Sequence, residues 1–121
     1  MDSELRIEET RAGDVAVLKL TGQMHLDDGD LAFGRRIAEL TSEGVLKFVV
    51  DLGGVTHIDS SGIGMLAAKL KHVRERGGDI RLLNLTTRSQ RLFGVMKLMI
   101  AFETYDDEAM AVRSFAARPS V

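Results

Sequence analysis

A single α/β domain built on a mixed sheet is the fold class this sequence predicts. Apolar runs of strand length alternate with stretches patterned at helical spacing. The first two runs are joined by a tight Gly13-Asp14 turn, which makes them an antiparallel hairpin. No internal repeat, linker or low-complexity segment interrupts the 121 residues, a length typical of one domain. The expected layout is about four to five strands and four helices in one domain over 1–121. The ordered core is expected over about 5–115, with a frayed tail over 116–121 marked by Pro119.

Each element has its own signal. Leu5-Arg6-Ile7-Glu8 alternates apolar and polar, as a half-exposed strand does, and Val15 to Leu20 is its partner, ended by Thr21-Gly22. Asp27 and Asp28 are candidate caps for a helix carrying Phe33, Ile37 and Leu40, which Gly34 weakens and Gly44 ends. Phe48-Val49-Val50 is continuously apolar, the sign of a strand covered on both faces. Gly53-Gly54 then reads as a turn. Ile63, Leu66, Ala67, Leu70 and Val73 share one helix face, and Lys69, Lys71, Arg74 and Arg76 crowd the later part, where cations suit the dipole. Gly77-Gly78 stops that helix by a left-handed cap. Ile80, Leu82, Leu83 and Leu85 form another inner strand. Thr87-Arg88-Ser89-Gln90 fits a capping box for a helix through Leu92, Val95, Met96 and Met99. A short strand is expected near Ala101-Phe102, and Asp106-Asp107 opens a last helix through Phe115.

Composition excludes several classes. There is no cysteine, hence no disulfide framework and no thiolate metal site. The net charge of -2 lacks the basic excess of a general nucleic-acid binder. No apolar run approaches the ~18 residues of a membrane span. Asp2, Glu4 and Arg6 break any signal-peptide pattern, so a cytoplasmic, non-membrane protein is expected.

The chemically richest stretch is Val49 to Met65, which reads strand, Gly-Gly, then Asp59-Ser60-Ser61-Gly62 at the mouth of a helix. A helix N-terminus receives negative charge. A serine there is a cap, a nucleophile or a place to attach phosphate. Plain capping by Asp59 or Ser60 is the simplest of these. Gly62 costs ~1 kcal/mol against alanine in a first turn and makes sense where something approaches the backbone closely.

Other chemistries find little support. The histidines are His25, His57 and His72; His57 lies three residues before Ser60, yet Gly-x-Ser-x-Gly is absent. His25, Asp27, Asp28 and Asp30 lack the calcium-loop pattern, and capping explains the aspartates. The glycines around 53–64 match neither a P-loop nor a dinucleotide fingerprint. Asp51 ends an apolar strand, where a receiver-type phosphoacceptor would sit, with Glu8 and Glu9 as possible magnesium partners. The later strand end offers Asn84 and Thr86 but no lysine, and bonding to amides near Gly53-Gly54 is the simpler role for Asp51.

Phe48 to Leu70 resembles STAS-domain proteins of the anti-sigma factor antagonist type. The matching residues are the strand into Asp51-Leu52, then Val55 and Ile58-Asp59-Ser60-Ser61-Gly62-Ile63-Gly64. The likeness extends to Leu18-Lys19-Leu20-Thr21-Gly22, to Gly77 through Leu82 and to Arg91-Leu92-Phe93, from about Leu5 to Phe115. It implies a STAS-like domain with the helices packed mainly on one face, and a binding protein rather than an enzyme, without cofactor or metal. It implies phosphorylation on Ser60, the serine directly after the aspartate. Its implied partners are an anti-sigma factor that is a Ser/Thr kinase and a serine phosphatase, the protein itself being a monomer or weak dimer. Asp59 and Ser61 would shape the site, Gly62 would let the partner close in, and Met24, His25 and Met65 would line the contact. The rival implication is a STAS scaffold or transport-accessory subunit. Two departures stand out: Gly22-Gln23-Met24-His25 replaces the family's Gly-Glu-Leu-Asp, and Lys97-Leu98-Met99 replaces its Gly-Leu pair.

Overall fold

The structure, a computed structural model, describes residues 5–24, 28–95 and 102–116, without the side chains of 28–31 and 95. Strand β1 (Arg6–Ala12) turns at Gly13 into β2 (Val15–Met24). Then follow α1 (Asp28–Ser42), β3 (Lys47–Ile58), α2 (Ser60–Glu75), β4 (Asp79–Leu83), α3 (Thr87–Val95), β5 (Thr104–Tyr105) and α4 (Glu108–Ala116). The five strands lie in the order β1-β2-β3-β4-β5. Only β1 is antiparallel to its neighbour; β2, β3, β4 and β5 run parallel.

Strand alternation divides the core in two. Ala16, Leu18 and Leu20, Phe48, Val50 and Leu52, and Ile80 and Leu82 face one side. There they meet Phe33, Ile37 and Leu40 of α1, Ile63, Leu66, Leu70 and Val73 of α2, and Phe93 of α3. Val15, Val17, Val49 and Leu83 face the other side, under Ala111, Val112 and Phe115 of α4. Three helices on one face and one on the other is the arrangement expected.

The second face also holds Arg81, only 2% exposed. Its Nε lies 3.3 Å from Asp79 Oδ2 and 3.5 Å from Glu103 Oε1. Nη1 donates to Ser114 Oγ, and the guanidinium stacks 3.9 Å from the Phe115 ring centre. A buried cation is held here by carboxylates and by a ring face.

The helix ends follow their sequence signals closely. Gly77 takes φ 90°; its N–H donates to Arg74 O, and Gly78 N–H donates to Val73 O, the paired bonds of a Schellman cap. Gly44 and Val45 close α1 in the same way on Thr41 O and Leu40 O. Asp107 caps α4 through Oδ1, accepting from Met110 N at 2.9 Å.

Three expectations are corrected. Gly53-Gly54 is not a turn: β3 runs through it to Ile58. Lys19 pairs with Asp51 and Thr21 with Gly54, so Leu20 alone stands opposite Leu52 and Gly53. The glycines accommodate this bulge where Leu20 O lies 3.0 Å from the position of a Gly54 β-carbon. The cap of α3 is Thr86, one residue earlier than expected, with its Oγ1 accepting from Ser89 N at 3.1 Å. The last strand is Thr104–Tyr105; Phe102 is buried outside any strand, and Ala101 lies outside the described residues. Asp27 and 96–99 also lie outside them; of the tail expected over 116–121, Ala116 ends α4 and 117–121 lie outside the described residues.

Candidate functional site

The Asp59-Ser60-Ser61-Gly62 stretch sits where β3 ends and α2 begins. Asp59 is extended (φ -115°, ψ -175°), and its N–H donates to Met24 O at the end of β2. That bond places the carboxylate over the open end of α2. Oδ1 accepts from Ser61 N and from Gly62 N, each at 3.0 Å, so Asp59 is the N-cap. The same oxygen accepts the Ser61 hydroxyl at 2.7 Å.

The two serines are thereby distinguished. Ser61 is half-buried with its hydroxyl committed to Asp59. Ser60 is the first residue of α2 and is exposed. Its hydroxyl makes no hydrogen bond to another described residue. The site therefore presents one accessible hydroxyl next to one carboxylate that already holds the leading amides of the helix.

The other expected contact residues separate. Met24 is fully buried, and Gly62 is buried beneath it: a β-carbon on Gly62 would lie 2.7 Å from Met24 O. The close approach that calls for glycine comes from the chain's own β2. Met24 and Gly62 thus lie beneath the Asp59 turn and support it. Met65 is half-buried against α1, its Sδ 2.7 Å from where a Gly34 β-carbon would stand. His25 lies outside the described residues.

His57 is exposed near the end of β3, beside a cleft of about 180 Å³ that it shares with Thr56, Thr86, Arg88 and Ser89. His72 is half-buried in α2. Asp51 is 8% exposed and points to the face opposite α2. Its Oδ1 accepts from Gly53 N at 2.9 Å and from Asn84 Nδ2 at 3.3 Å, the structural role expected of it. Glu9 is engaged elsewhere, 2.7 Å from Arg36 Nε of α1. The hydrogen bonds from Arg36 hold the Glu9 carboxyl below its usual range and push the Arg36 guanidinium up. No group of three or more His, Asp or Glu side chains among the described residues could hold a metal ion. No helix among them is long and apolar enough to cross a membrane.

Sequence reasoning did not single out Arg81 or the bulge that carries β3 past Asp51. A cue for Arg81 was present: an arginine inside the run Ile80 to Leu83.

The family model described as "Mlab, STAS domain" matches residues 7–100. An anti-sigma F factor antagonist of Paenibacillus polymyxa is 22% identical over 108 residues, covering 89% of this chain and 92% of that protein. The crystal structure of an anti-sigma factor antagonist from Mycobacterium paratuberculosis superposes with a TM-score of 0.80 at 18% identity, over 94% of this chain and 96% of that one. The phosphorylated form of the Bacillus cell fate determinant SpoIIAA gives 0.73 at 17% identity, over 92% and 98%. The murine Slc26a9 anion transporter gives 0.75 at 17% identity, over 90% of this chain and 19% of that one. At these identities the structural likenesses establish the fold alone.

Proposed function

The chain belongs to the STAS-domain family, and from that premise we propose that it is a cytoplasmic anti-sigma factor antagonist switched by phosphate on Ser60. In this reading the unphosphorylated form binds an anti-sigma factor Ser/Thr kinase and releases a sigma factor. The kinase phosphorylates Ser60 and ends binding; a serine phosphatase restores it. The protein acts as a binding partner and not as an enzyme.

The observation that carries the reading is the division of labour between the serines. Ser60 is exposed at the first position of α2, while the Ser61 hydroxyl is bound to Asp59. A phosphate adds about -1.5 to -2 charges at pH 7. Asp59 already occupies Ser61 N and Gly62 N, so the phosphate gains little from those amides and stands beside a carboxylate. The site's negative charge becomes concentrated at the surface rather than absorbed by the fold. An unpaired charge trapped in an interface costs about 2–5 kcal/mol. At tenfold per 1.4 kcal/mol, that weakens binding by about 30-fold to several thousand-fold.

Titration calorimetry against the anti-sigma kinase tests this. Unmodified protein and Ser60→Ala should bind alike, and the phosphorylated protein should bind far more weakly. Phosphate mapped to Ser61, or a hydroxylamine-labile adduct on Asp51, would contradict the assignment. Equal affinity for all three forms would favour a second reading, a STAS scaffold or transport-accessory subunit without a phosphoswitch. The likeness of this fold to 19% of an anion transporter's chain is what supports that alternative.

A further inference from the structure

We propose that the cleft between the start of β4 and the end of α4 is a second ligand site, for the oxyanion of a small molecule: a phosphate group or a carboxylate. It lies where β3 and β4 begin, at the end of the sheet opposite the Asp59 turn. Its volume is about 430 Å³, within the range of small-molecule sites. Three cations line it, Lys47, Arg74 and Arg81, against two carboxylates, Asp79 and Glu103.

Arg81 gives the cleft its direction. A guanidinium has five N–H donors in one plane. The Arg81 side chain is 2% exposed; Nε faces Asp79 and Glu103, and Nη1 donates to Ser114. The Phe115 ring covers one flat face and leaves the in-plane edges. No described residue accepts a hydrogen bond from Nη2. Donors left unmet on a buried cation call for an acceptor, and an oxyanion matches the spacing of guanidinium hydrogens. Asp79 Oδ1 accepts from Arg74 Nε at 2.9 Å and Oδ2 from Arg81 Nε at 3.3 Å, so its hydrogen bond from Arg81 is to Nε and not to Nη2. Lys47 is bound to Asp14 at 2.7 Å, but that pair is 40% and 73% exposed, so the ammonium is held weakly and can turn to a ligand. Gly77 lines the same wall, and a β-carbon there would meet nothing within 4 Å, so the mouth is open at that point.

The site is independent of Ser60, so its test is independent too. The full chain, labelled with ¹⁵N, is titrated with inorganic phosphate and, separately, with acetate, against sodium chloride at matched ionic strength. The expected result is a saturable shift of the Arg81 Nε–H and of the Gly78 and Asp79 amides with at least one of the two anions, and none with chloride. Which anion saturates first identifies the ligand class. Arg74→Gln and Lys47→Gln, both at partly exposed positions, should each weaken that binding about five- to tenfold. Arg81→Lys should abolish it; the two outer variants keep the test decisive if α4 loosens in Arg81→Lys. Shifts that stay linear to about 10 mM, well past a millimolar site, would overturn the proposal. So would shifts spread along the basic surface of α2, or unchanged affinity in both outer variants.

Discussion

The two faces of the sheet are built from alternate residues of the same strands, yet they are held by different means. One face buries Leu18, Val50, Leu66 and Phe93 among many other apolar side chains under three helices. Among the described residues the other offers α4 Val15, Val17, Val49 and Leu83, with half-buried Tyr105 packed beside them. Apolar burial is non-directional and grows with area. A small cluster can attract a helix without setting its rotation. Arg81 supplies that direction, since a planar group with carboxylates along one edge, a hydroxyl on another and a ring on its face admits few arrangements. A small apolar contact plus one oriented charge does the work that a large contact does by area.

The strongest way to break this comparison is to excavate the first face. Leu66→Ala at a fully buried position should cost about 2–5 kcal/mol, seen as a lower denaturant midpoint with unchanged slope. Arg81→Gln should cost less, about 1–3 kcal/mol, and the loss should be local. Hydrogen exchange should quicken at Ala111 to Ser114 while α2 keeps its protection; equal loss in both helices would erase the distinction. Asp59→Ala should cost about 0.5–2 kcal/mol by removing the cap from Ser61 N and Gly62 N, read as a lower melting temperature.

The smallest effect concerns β1, tied to the first face through Glu9 and Arg36. Hydrogen bonds from Arg36 depress the Glu9 pKa in the folded state. Such a carboxylate contributes stability above its unfolded pKa of ~4.3 and loses it as pH falls through the lower folded value. Glu9→Gln should cost no more than ~1 kcal/mol at pH 7. It should also flatten the stability curve below about pH 4.3. An unaltered acid limb would show that the pair contributes nothing.

Legibility in the sequence followed the range of the cause. Local chemistry was readable: Asp59 caps α2, Gly77-Gly78 closes it, and the apolar spacing of Ile63 to Val73 marks its buried face. Gly53-Gly54 was misread because a turn and a bulge use the same residue, and only pairing with Leu20 of β2 decides between them. Thr86 and Thr87 offer the same hydroxyl one residue apart, so the cap of α3 shifted by one. In the site, the sequence singled out Ser60 and Asp59 but not which way Met24 and Gly62 face, since that depends on β2 lying across the start of α2. Arg81 was missed because an arginine in a strand ordinarily faces water, and its partners Glu103, Ser114 and Phe115 come from far along the chain.

The contact between Gly78 and the Leu46 carbonyl has a consequence for heredity. A β-carbon at Gly78 would overlap Leu46 O, and that oxygen also accepts the Asp79 N–H that starts β4. Every amino acid reachable from a glycine codon by a single-base change carries a β-carbon. Position 78 therefore has no neutral neighbour in the genetic code. Gly64, exposed on α2, has open space where its β-carbon would stand. A side chain therefore meets no steric bar at the second glycine and meets backbone at the first.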